Sequence, residues 1–178
     1  MNTRLSLPVN TSHHYAFYPR AVHAFGINLS PRMVEVARRD HPGLRFEVGS
    51  MTNLVLADAS ITGLVAWYSL IHIPDDELGS VFDHFQRVLR PGGPLLLGFH
   101  VGDESVSKTH GYGGHPIHLY VHRRQHSRMC ECLCDAGFVV EARKTLTSAA
   151  LSDIEVTDPP PSRFAGVAGC PENVSGQL

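Results

Sequence analysis

A chain of 178 residues with 43% hydrophobic residues can bury one real core, which makes a single domain the starting expectation. Its 15 Lys and Arg against 17 Asp and Glu leave a formal charge of -2 with no basic run, which speaks against bulk phosphate binding and against a nucleic-acid partner. The longest apolar stretches, such as Leu95 to Leu97 within Pro94 to Phe99, fall far short of the roughly 20 residues that cross a bilayer. The N-terminus lacks an apolar segment of signal-peptide length, so a cytoplasmic protein without a membrane partner is the default expectation.

Cys130, Cys132 and Cys134 crowd into one short stretch, which argues against a disulfide framework. His118, His122 and His126 are spaced by four, and Cys130 and Cys134 repeat the interval. On one continuous helix they would form a stripe of soft ligands, so a metal-binding module is a rival reading. The alternation of Ile117, Leu119 and Val121 instead predicts a strand there, which scatters the histidines, and no metal site is assigned.

In chain order, residues 1–21 carry Pro8 and Pro19 among polar residues and read as an irregular arm. Val22 to Ile27 predicts a strand, followed by Ser30-Pro31, an N-cap and a proline in the first helical turn. Met33, Val34 and Ala37 supply that helix's apolar stripe, and Pro42-Gly43 ends it. Leu44, Phe46 and Val48 alternate as a short strand, and Ile61 to Tyr68 reads as a strand covered on both faces. Pro74-Asp75 opens a helix in which Leu78, Val81, Phe82, Phe85, Val88 and Leu89 follow the helical period up to Pro91-Gly92-Gly93. Leu95 to His100 is the next strand, then a polar loop, then a strand over Pro116 to His122. A helix capped by Ser127 carries Met129, Leu133 and Ala136 and stops at Gly137, and Phe138 to Ala142 is the last strand expected. Residues 147–178, with Pro159-Pro160-Pro161, show no period and read as a disordered tail. Strands alternating with helices imply an α/β layer architecture with a mostly parallel sheet over 22–146.

Four segments in register carry a family resemblance: Gly26-Ile27-Asn28-Leu29-Ser30-Pro31-Arg32-Met33, Phe46-Glu47-Val48-Gly49-Ser50-Met51, Ala66-Trp67-Tyr68-Ser69-Leu70-Ile71-His72-Ile73-Pro74, and Arg87-Val88-Leu89-Arg90-Pro91-Gly92-Gly93-Pro94-Leu95. Together they resemble the class I S-adenosylmethionine-dependent methyltransferases, of the type 11 or type 25 kind. The resemblance implies a Rossmann-like sheet and contacts to S-adenosylmethionine from Asn28, Leu29, Gly49, Ser50, Met51, Tyr68, Ser69 and His72. Such ligands sit beyond the carboxyl ends of the strands. Asn28 stands where the family usually has an acidic residue on the ribose hydroxyls. Ser50 and Met51 would surround the adenine, and Tyr68, Ser69 and His72 would line the methyl side.

In the family the first strand delivers a glycine-rich cofactor loop, and nothing before Val22 resembles it. The expectation is therefore an N-terminally truncated sheet lacking the first, central strand and that loop, with weak cofactor binding or none. The function implied is methyl transfer to a small-molecule acceptor. The alternative is a non-catalytic partner subunit that docks, or forms an oligomer, through the unpaired sheet edge. No catalytic residue is assigned, although His100 or His110 could deprotonate a hydroxyl or amine.

Overall fold

In a computed structural model of the chain, which describes residues 3–8, 22–110, 116–145 and 164–170, nine strands and three helices alternate along the sequence. The strands are β1 (Thr3–Pro8), β2 (Val22–Asn28), β3 (Arg45–Val48), β4 (Gly63–Trp67), β5 (Leu95–His100), β6 (Val106–His110), β7 (Pro116–Val121), β8 (Val139–Thr145) and β9 (Phe164–Cys170). The helices are α1 (Pro31–Asp40), α2 (Leu78–Val88) and α3 (His126–Asp135). Seven strands form one sheet in the order β3-β2-β1-β4-β5-β9-β8, every pair parallel, while β6 and β7 make a separate antiparallel ribbon. The winding runs outward from β1 to β3 and then restarts at β4. The switch point between β1 and β4 is where a crevice opens in such sheets.

Local chemistry explains the helices. Ser30 caps α1 by accepting the Met33 amide on its Oγ at 3.4 Å, and Pro31 occupies the first turn where its missing donor costs nothing. Val34 and Ala37 bury against Phe46, while Met33 stays at the surface. Arg38 locks the packing by donating to the Phe46 carbonyl at 3.1 and 2.6 Å. Helix α2 buries Leu78, Val81, Phe82, Phe85 and Val88 on Leu64, Ala66, Leu95, Leu97 and Phe99 of the central strands. It starts at Leu78 rather than at Asp75, whose carboxylate is drawn to a distant guanidinium. Helix α3 starts at His126 with Gln125 as its cap residue, without the Ser127 cap. It closes in a Schellman turn: the Phe138 amide donates to the Leu133 carbonyl and the Gly137 amide to Cys134, at 2.9 Å each, with Gly137 at φ +82°.

The structure differs from the sequence reading at both ends. Thr3–Pro8, read as part of an irregular arm, fills the central slot between β2 and β4, where the first strand was expected to be missing. Pro8 lies at the very end of that strand, where its missing donor interrupts least of the ladder. Filling the slot removes the open edge from which a partner subunit was argued. Phe164–Cys170, read as tail, pairs with both β5 and β8. Its alanines and glycines carry little strand propensity, and pairing on both sides overrides that deficit. The glycine-rich loop has no counterpart in sequence, because no glycine precedes Gly26.

Candidate functional site at the carboxyl edge

Three strand ends meet at the switch point. Asn28 and Leu29 leave β2, Gly49, Ser50 and Met51 leave β3, and Ser69 and His72 follow β4. Together with Ile27, Leu54, Ile73 and Phe85 they line one crevice of about 240 Å³. Each of these turns is fixed locally. Asn28 Oδ1 accepts the Ser30 amide at 2.8 Å, which aims the chain into α1. The Gly49 amide donates to the Asn28 carbonyl at 3.0 Å, and a Cβ at Gly49 would stand 2.9 Å from Ile27 Cγ2. Ser50 Oγ lies 2.7 Å from Thr52 Oγ1 and accepts the Thr52 amide at 3.2 Å, which sets the turn carrying Met51. Met51 packs against the main core.

One feature suits this crevice to a polar ligand. Ser69 Oγ is buried and has no hydrogen-bond partner among the described residues, so it is a polar group on the crevice that a ligand can satisfy.

Tyr68 departs from the expected grouping. It does not line the crevice; its ring packs on His100, with centroids 4.9 Å apart, and edge-on to Trp67. Its backbone sits at φ +50°, a left-handed conformation that is unfavourable for an aromatic residue. The Tyr68 amide still donates to the Gly98 carbonyl at 2.8 Å, so the strain falls where the chain leaves β4.

The turn after β4 is held by a residue that the sequence reading passed over. Arg124 is 3% exposed, and its guanidinium donates to Asp75 Oδ1 at 2.8 Å, to the Leu70 carbonyl at 3.0 Å and to the Ile73 carbonyl. Its backbone amide donates to the His100 carbonyl at 3.0 Å, which joins this turn to the end of β5. No one-dimensional signal marks Arg124, since its side-chain partners lie 49 to 54 positions away. Nearby, the His122 amide donates to the Ile71 carbonyl at 2.7 Å, and His72 Nδ1 lies 2.8 Å from the Tyr120 carbonyl.

Imidazoles collect around this edge. Burial, then Arg123, Lys108 and His72, hold the His100 pKa below the ordinary histidine value. Burial and Arg124 lower that of His122 as well, against an opposing pull from Asp75, and Ser105 Oγ lies 2.7 Å from its Nδ1. The His/Cys stripe does not assemble: His118 lies on β7, Gln125 breaks the chain before α3, and among the described residues no three metal-ligating side chains come together. Also among the described residues, no helix is long and apolar enough to cross a membrane.

Comparison with known proteins points to the same fold. Residues 10–93 match the family described as "Methyltransferase domain". An arsenite methyltransferase of Halobacterium salinarum is 32% identical over 80 residues, which is 42% of this chain and 20% of that protein. A demethylmenaquinone methyltransferase of Chlorobaculum parvum is 34% identical over 68 residues, 38% of this chain and 27% of that protein. The chain thus spans a fifth to a third of the length of the curated relatives it matches. Among solved structures, a methyltransferase from Methanosarcina mazei superposes with a TM-score of 0.57 at 20% identity, covering 65% of this chain and 68% of that one. The 1,6-didemethyltoxoflavin-N1-methyltransferase of Burkholderia thailandensis, solved with bound S-adenosylhomocysteine, gives 0.53 at 17% identity, with coverage of 77% and 60%.

Proposed function

We propose that this chain is a class I S-adenosylmethionine-dependent methyltransferase domain whose carboxyl-edge crevice binds the cofactor for methyl transfer to a small-molecule acceptor. The observation that carries the proposal is the convergence of Asn28, Leu29, Gly49, Ser50, Met51, Ser69 and His72, from three separate strand ends, on one crevice. Bound there, the cofactor would supply an electrophilic methyl group on a sulfonium, whose transfer depends chiefly on alignment.

The residues divide the work by chemistry. Asn28 and Leu29 flank the place for a ribose, with the amide offering hydrogen bonds where the family usually has a carboxylate. Met51 offers a thioether to the face of an adenine, and Ser50 a hydroxyl to its edge. Ser69 Oγ completes its hydrogen bonding on the cofactor's methionine side, and the Arg124 fork keeps its turn from moving. Tyr68 supports the site from behind, through His100.

Calorimetric titration with S-adenosylhomocysteine tests the reading. Binding is expected, and Gly49→Leu should weaken it by roughly tenfold or more, because the new side chain meets Ile27 and crowds the crevice that Gly49 lines. Absence of binding by the chain would remove the proposal.

A further inference from the structure

We infer that the sheet carries a second small-molecule site, at the end opposite the carboxyl-edge crevice, and that its ligand is a small neutral aromatic carboxamide. None of the residues that form it takes part in the functional reading above.

A cavity of about 540 Å³ lies at the amino ends of β2, β3 and β4, within the size range of ligand pockets. Chain geometry opens it. Phe46 turns to α1, so its neighbours Arg45 and Glu47 face the opposite side of β3, beside Phe25 of β2. The segment from β3 to β4, residues 49–62, forms no helix, and Val55 within it is 90% exposed. The sheet is covered here by an irregular loop instead of a packed helix. Phe25, Leu44, Leu56 and Ile61 are left as the apolar wall of the cavity.

Three polar groups on the same wall have hydrogen-bonding capacity to spare. Ser60 Oγ is buried and has no hydrogen-bond partner among the described residues. Buried polar groups are almost always satisfied, so an orphan on a cavity wall marks a place for a ligand's polar atom. Arg45 Nε and Nη2 both donate to Glu47 Oε1, the former at 2.9 Å. Arg45 Nη1 and Glu47 Oε2 then stand without partners among the described residues, a donor and an acceptor on one ion pair.

The charges select the ligand class. Arg45 and Glu47 cancel, so a carboxylate would be repelled by Glu47 and an ammonium by Arg45. A carboxamide carries no charge and presents an acceptor and a donor together. Its oxygen accepts from Arg45, its N–H donates to Glu47, and an attached flat ring covers the apolar wall. A hydroxyl on that ring supplies the partner that Ser60 lacks.

The probe is meta-hydroxybenzamide, titrated into ¹⁵N-labelled protein and followed by the backbone amide resonances. Saturable shifts are expected at Phe25, Glu47 and Ser60, with a dissociation constant on the order of 1 mM for a molecule of this size. Ser50 and Ser69, in the carboxyl-edge crevice, should not respond. The meta-hydroxybenzoate anion and the meta-hydroxybenzylammonium cation should bind at least about fivefold more weakly. Arg45→Gln, at an exposed side chain, should weaken the amide by a similar factor, and Ser60→Ala should bind it no better than benzamide. Unshifted resonances, shifts confined to the crevice, a charged probe that binds as tightly, or an Arg45→Gln variant equal to wild type would each overturn the inference. The comparison of neutral and charged probes uses the wild-type protein alone, so it decides even if a variant folds poorly.

Discussion

Replacing Arg124 by methionine keeps most of the buried stem and deletes the three-pronged head. The Leu70 carbonyl keeps a partner, because the Ile73 amide also donates to it at 3.1 Å, whereas the Ile73 carbonyl loses the guanidinium donor. One deprived carbonyl costs about 1–3 kcal/mol. The ion pair adds little, because the Asp75 side chain is 58% exposed and screened by water. A net loss of about 2–3 kcal/mol follows, which in a chain of this size lowers the melting temperature by roughly 4–12 °C. Arg124→Lys should recover little of this, since one ammonium cannot span three acceptors set by a planar fork. Asp75→Asn should cost less than about 1 kcal/mol. Urea and thermal unfolding of the three variants decide the matter. If Arg124→Met falls within about 0.5 kcal/mol of wild type, or if Asp75→Asn matches it, the account of a carbonyl-bracing arginine is refuted.

Gly98→Ala would place a Cβ 2.7 Å from the ring of Trp67, so the indole must shift; a loss of about 1–3 kcal/mol and a changed emission from this sole tryptophan are expected, read by intrinsic fluorescence during denaturant unfolding. The pKa of His100 is depressed in the folded chain, so the unfolded chain binds its proton at higher pH. The contribution of His100 is then fully present above the ordinary histidine value and is lost as pH falls through that value toward the folded one. Melting temperatures taken between about pH 7.5 and 5.5 should fall toward acid, and less steeply in His100→Gln.

Much of this protein was legible along the chain, and for one reason: local periodicity and capping report elements whose partners are close in sequence. Ser30-Pro31 announced α1 to the residue, and Gly137 announced the end of α3, because a cap is a contact across a few positions. The alternation through Phe46 and the apolar runs at Ile61 and Leu95 located β3, β4 and β5. The strand-end residues followed from the winding rule, and the structure brought Asn28, Leu29, Gly49, Ser50, Met51, Ser69 and His72 to one crevice. What escaped was decided at long range. Thr3–Pro8 and Phe164–Cys170 become strands through backbone pairing with neighbours on both sides, partners that lie far away in sequence. Tyr68 turned to His100 because the chain leaves β4 in a left-handed conformation, and His72 Nδ1 met a carbonyl 48 positions away. Arg124 found its acceptors only once β5, β7 and the turn after β4 were packed together. Sequence fixes which residues can serve as strand ends and caps, whereas the choice of hydrogen-bond partner for a buried or half-buried polar group is made by the tertiary fold, because only there is water no longer the competing partner.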